Sequence, residues 1–162
     1  MTSIRRRLRR PVFLGPSAAV LVLAAAGCSA SDTVASITVP TPTPEVAAYC
    51  RALHKELPQT VAGKHRDDSG PKSELTADWG DGAIVLRCGV DRPAKMDDPM
   101  AKGSQANGVN WLLEQRENAG PRFTTTYRKA YVEVTLSAAY AHDATPLAAF
   151  AAAVKKTVPS SV

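Results

Sequence analysis

Residues 20–28, VLVLAAAGC, form an uncharged apolar run that closes on small side chains and a cysteine, and this run decides how much chain is left to fold. Ahead of it, Arg5, Arg6, Arg7, Arg9 and Arg10 crowd the first ten residues with no acid among them. A positive start, a greasy middle and a small-residue exit are the parts of a secretory signal, so residues 1–27 are expected to be removed. Ala25-Ala26-Gly27-Cys28 leaves room for a peptidase around the backbone and puts a thiol where a diacylglyceryl group attaches. It looks like a bacterial lipobox, with Ala25 where leucine is usual. Acylated Cys28, carrying palmitate-type chains that bury methylenes at about 0.8 kcal/mol each, would hold the chain at the cell membrane on its extracytoplasmic face.

Two alternatives stay open, an uncleaved span and an ordinary secreted protein. The apolar run at residues 11–27 is at the short edge of the roughly 17 to 25 residues needed to cross a bilayer, and Pro11, Gly15 and Pro16 weaken it as a helix. Arg9-Arg10-Pro11-Val12-Phe13 leaves open whether export is general or twin-arginine. The formal charge of +5 resides in the leader: of twenty Lys and Arg, five lie there, and the remaining fifteen face fifteen Asp and Glu. Without a basic block after the leader, the pI near 9.3 gives no reason to expect nucleic acid as a partner.

Residues 28–43 are expected to be the lipidated cysteine and a Pro/Thr-rich tether, reaching at most roughly 50 Å in extended form, with O-glycosylation of its threonines a further option. Residues 44–159 make one domain's worth of chain, and 160–162 a tail. Thr43-Pro44-Glu45 opens a helix, with Val46, Cys50, Leu53 and Leu57 on one stripe and Pro58 as the stop. Residues 59–78 and 91–107 are expected as polar connections. Alternation predicts four strands: residues 83–89, then Val109, Trp111 and Leu113, then Phe123, Thr125 and Tyr127, then Val132, Val134 and Leu136. Thr145-Pro146 opens a second helix carrying Leu147, Phe150, Val154 and Val158.

With Cys28 lipidated, Cys50 and Cys88 are the two cysteines left, both placed on inward faces, and export puts them where disulfides persist. A bridge closing that loop contributes roughly 4 kcal/mol on the chain-entropy estimate. Their separation is unlike a CxxC redox or metal motif. The expected fold is α+β: a four-stranded, largely antiparallel sheet with N- and C-terminal helices on one face, in the order α-β-β-β-β-α, and one disulfide.

Cys50 with Leu53 and Leu57-Pro58, Val61-Ala62-Gly63, and Ala77-Asp78-Trp79-Gly80-Asp81 running into Ile84-Val85-Leu86-Arg87-Cys88-Gly89-Val90 recur as a set with Asn107-Gly108-Val109-Asn110-Trp111 and Tyr131-Val132-Glu133-Val134. Together they resemble the actinobacterial family called domain of unknown function 3515, over most of residues 45–159. The resemblance implies a small exported or lipid-anchored protein. It implies no catalytic residue, and Gly82 stands where the family pattern has proline.

Chemistry is thinly marked. His54, His65 and His142 fall in no ligand frame, no nucleophile elbow or phosphate-binding glycine loop occurs, and no catalytic, cofactor or metal residue is assigned. Asp78, Asp81, Asp97 and Asp98 offer material for a carboxylate pair, although aspartate beside glycine or proline is ordinarily turn chemistry. The candidate interaction face is the side of the sheet away from the helices, with Arg87, Asn110, Tyr131, Glu133 and Thr135 projecting and Trp79 as an aromatic wall. The plainer reading of these residues is a wet outer face with an Arg87–Glu133 pair and Trp79 in the core. The expected function is a non-catalytic, membrane-anchored envelope module that binds an unknown envelope protein or wall component. The alternatives are an envelope hydrolase using a carboxylate pair and a secreted structural domain.

Overall fold

The computed structural model describes residues 37–67 and 70–161. The expected signal peptide, the lipidation site Cys28 and the first part of the tether lie outside the described residues. No helix among those described is long and apolar enough to cross a membrane.

Helix α1 spans Pro44–Glu56 and begins as its sequence dictates. The backbone N–H of Val46 donates to Thr43 Oγ1 at 3.5 Å, Pro44 occupies the first turn and Glu45 lies at the positive end of the helix dipole. Leu57 is already extended, as a residue preceding proline prefers. Cys50, Leu53 and Leu57 are buried.

The four-stranded sheet expected from alternation is corrected by the structure, which holds one antiparallel sheet of eight strands. These are β1 (Thr60–Val61), β2 (Lys64–Asp67), β3 (Thr76–Trp79), β4 (Ile84–Val90), β5 (Gly103–Ala106), β6 (Val109–Glu114), β7 (Arg122–Thr125) and β8 (Tyr131–Leu136). Their spatial order is β1-β2-β3-β4-β8-β7-β6-β5. Two meanders, β1 to β4 and β5 to β8, are thus zipped together along β4 and β8 in the middle. The connection over residues 91–102 carries the chain from the sheet's centre to its far edge.

The four strands absent from the expectation lack the alternation by which strands are recognised. β2 reads KHRD and has nothing fully buried, while all four residues of β3, TADW, are buried. A strand covered on one side by helices and on the other by chain carries no polar/apolar period. Tight turns hold these hairpins: Ala62 and Gly63 have φ of 48° and 74°, and Asn107 and Gly108 have 47° and 81°. Paired positive φ marks the two-residue turn whose twist matches a hairpin.

One sheet face packs on the helices. Ile84, Leu86 and Cys88 of β4 lie beside Leu136, Val134 and Val132 of β8, all buried. Cys50 on α1 is bonded to Cys88 with a Cα–Cα distance of 5.4 Å, so the expected disulfide is present. The second helical segment is split into a 3-10 turn over Thr145–Ala149 and helix α2 over Ala151–Thr157. Leu147, Phe150, Val154 and Val158 are fully buried. Phe150 meets the Trp79 ring at 5.2 Å between centroids.

The outer face is partly covered by the chain itself. Residues 37–43, inside the stretch expected as a tether, lie along it: Ile37 is buried, and the Thr38 carbonyl accepts from Arg87 Nη1 at 3.3 Å. Where this strap crosses β4, Gly89 takes φ +85° at a bulge, and a Cβ there would sit 2.7 Å from Pro42. Glycine is required on both counts.

Candidate functional site

The residues proposed for the interaction face separate into three environments. Trp79 is not on that face: it is fully buried among the helices, and its indole N–H donates to the Pro58 carbonyl at 3.0 Å. Arg66 lies over the same ring at 6.0 Å and also reaches the His54 ring at 2.8 Å. His65 and His142 are exposed.

Arg87 and Glu133 are direct partners across β4 and β8, with Nε to Oε1 at 2.9 Å. The ion pair extends sideways. Arg122 Nε is 3.9 Å from Glu133 Oε2, and Arg122 also donates to both Glu114 oxygens at 2.9 and 3.0 Å. The hydrogen bond to Glu114 is the main reason the Arg122 guanidinium is held above its ordinary pKa, opposed by its partial burial. Alternating positive and negative groups across β4, β8, β7 and β6 satisfy one another, which leaves little charge over for a ligand.

Tyr131 alone of the four proposed face residues lines the larger outer-face groove. This groove has a volume of about 670 Å³, and the connection over residues 91–102 walls one side. That wall is braced internally: Asp98 accepts from the backbone N–H of Met100 at 2.8 Å, and the Arg92 guanidinium pairs with Asp97 at 2.8 Å. Lys95 binds Asp98 as well, and these bonds hold the Asp98 carboxyl below the usual carboxylate range, the Lys95 contribution being the larger. Leu112 and Asn110 of β6, with Gln105 and Gly103 of β5, line the sheet side. Arg92 and Lys102 face into the groove, and no carboxylate lines it among the described residues.

Tyr127 closes one end. It is 60% exposed and holds φ +57°, an uncommon conformation for a bulky side chain. The end of the chain maintains it. Ser161 N–H donates to the Tyr127 carbonyl at 3.1 Å, Lys129 N–H to Pro159 at 3.0 Å, and Arg128 Nη1 to Val158 at 3.0 Å. Strain held in place by surrounding bonds is often found at binding sites. The positive φ is not readable from a tyrosine in the sequence, whereas the groove's β5 wall is signalled by Asn107-Gly108.

The expected carboxylates do not converge. Asp97 and Asp98 are tied to Arg92 and Lys95 in one connection, and Asp81 is exposed beside β3. The fold instead sets Asp78 directly across from Asp67, a residue the sequence reading passed over. Asp67 Oδ2 accepts the backbone N–H of Asp81 at 2.8 Å and so braces the β3–β4 turn. No group of three or more His, Cys, Asp or Glu able to hold a metal occurs among the described residues.

The fold and groove define a disulfide-bonded α+β domain built on one eight-stranded antiparallel sheet. The chain belongs to the family described as protein of unknown function (DUF3515), which it matches over residues 12–162. No curated protein and no solved structure matches it.

Proposed function

We propose that this is an actinobacterial lipoprotein: a non-catalytic accessory module, anchored through Cys28 on the extracytoplasmic face of the membrane, that binds an envelope protein or wall component. The observation that carries the reading is the groove, about 670 Å³, rimmed by an exposed, conformationally constrained Tyr127 and by Tyr131. Its size and its mix of aromatic, amide and basic groups suit recognition. The Cys50–Cys88 disulfide supports an oxidising compartment. With residues 37–43 packed on the sheet, eight residues remain as spacer after Cys28, at most roughly 25 Å of extended chain. The module therefore works close to the bilayer.

Chemical crosslinking in intact envelopes tests this reading. A discrete partner should be recovered with the native chain and lost with Tyr127→Ala and Lys102→Glu. Recovery of the same material with both variants would refute the groove as the binding site.

The hydrolase alternative retains one observation, the facing Asp67 and Asp78. It requires turnover of wall fragments that disappears with Asp78→Asn, and inertness toward such fragments removes it.

A further inference from the structure

We propose that the groove takes an acidic polypeptide segment in extended form, which adds as a strand to the free edge of β5. This rests on the groove being the binding site.

β5 ends the sheet and is paired on one side only, by β6. The backbone N–H of Leu113 donates to the Lys102 carbonyl at 2.8 Å, and Gly103 lies opposite Leu112. Hydrogen-bonded pairs alternate along an antiparallel ladder, so Ser104 and Ala106 bond to β6, while the N–H and C=O groups of Gly103 and Gln105 point away from it. Both residues are exposed, and both line the groove. A row of outward backbone donors and acceptors is a template for another strand. The strand itself, GSQA, carries neither the charge nor the proline that commonly blunts an edge.

The charge of the groove selects the segment. Arg92 and Lys102 line it without a carboxylate among the described residues, and Lys102 makes no ion pair among them. An incoming strand bearing Asp or Glu would complete that set, and one bearing Lys or Arg would meet like charge. Tyr127 and Tyr131 offer flat surfaces to the alternate side chains of an added strand.

The test uses the full chain in detergent micelles and a fluorescein-labelled peptide of alternating threonine and valine with two glutamates, beside the same peptide with two lysines. The glutamate peptide should bind saturably and at least about tenfold more tightly than the lysine peptide, and Lys102→Glu should reverse that order. Gln105→Pro removes an outward N–H that the β6 ladder does not use, a place where an edge strand tolerates proline. It should abolish peptide binding with the thermal midpoint unchanged. Amide exchange on the native chain is an independent readout, with Gly103 and Gln105 gaining protection when the glutamate peptide is bound.

Equal binding of the two peptides, unaltered exchange at Gly103 and Gln105, or preference for anionic vesicles or glycan fragments over the peptide would overturn the proposal. An envelope partner lost with Tyr127→Ala but retained with Gln105→Pro would overturn strand addition alone, leaving the groove reading standing.

Discussion

Glu133 on β8 faces Arg87 on β4 at 2.9 Å and, on its other side, Arg122 at 3.9 Å, with its own side chain only 9% exposed. One carboxylate therefore neutralises two guanidinium groups at the middle of the sheet, where the two meanders join. Glu133→Gln keeps the shape and removes the charge, leaving Arg87 and Arg122 facing each other. It should destabilise the fold by about 1–3 kcal/mol, less than a fully buried pair because both arginines are partly solvated. Urea unfolding followed by tryptophan fluorescence measures it, and an unchanged midpoint would show the network to be energetically idle.

Arg87 also donates to the Thr38 carbonyl, which ties the strap to β4. Arg87→Ala and Ile37→Ser should each loosen residues 37–43 while leaving the helix-side core intact. Proteolysis should then nick the strap in the variants and spare it in the native protein. Equal resistance would mean that these contacts do not hold the strap.

Cys50 and Cys88 join α1 to the central strand β4 across a sequence separation of 38 residues. Replacing both with alanine should lower stability by about 4 kcal/mol on the loop-entropy estimate, a large part of what a domain this size possesses. Denaturant titration of the double variant against the oxidised protein gives the value directly.

Gly120 sits where a Cβ would come within 2.0 Å of the Leu136 carbonyl oxygen and 2.2 Å of that of Ser137. Both neighbours are backbone and cannot swing aside. Gly120→Ala should therefore destabilise by about 3 kcal/mol or more, through displacement of β8 from β7. Gly63→Ala has open space around it but a φ of +74°, and should cost only about 1 kcal/mol. Thermal melts of the pair separate steric from conformational effects.

Two exposed aspartates make stability depend on acid. Asp143 is held below the usual range by hydrogen bonds from the Thr145 hydroxyl and then its backbone N–H, and Asp98 by Lys95 and then Met100. A depressed folded pKa contributes stability above the unfolded value, about 3.9 for aspartate, and that contribution is lost as pH falls through the folded value. The thermal midpoint should therefore decline below about pH 4, and Asp98→Asn with Asp143→Asn should flatten that decline.

What the sequence makes legible follows from how its residues are buried. The helix at Pro44–Glu56, the disulfide and strands β4, β6, β7 and β8 carry a cap, paired cysteines or clear alternation, and each is recoverable from residue spacing. β3 is invisible because Thr76 and Asp78 are covered from the outer side as thoroughly as Ala77 and Trp79 are from the inner. β2, with Lys64, His65, Arg66 and Asp67, reads as loop because its pairing is specified by the Ala62-Gly63 turn and by Trp79 opposite Arg66, a contact distant in sequence. The groove shares that difficulty. Tyr131 is foreseeable from strand alternation, but Arg92, Lys102 and Tyr127 reach it only through a long connection and a strained turn.

The account's central claim is tested most directly by intact-mass spectrometry of the protein recovered from the membrane fraction, with and without thiol alkylation. The account predicts a chain beginning at Cys28, carrying a diacylglyceryl adduct and no alkylatable thiol. A full-length, unacylated chain with three alkylatable cysteines, recovered from the cytosol, would contradict it.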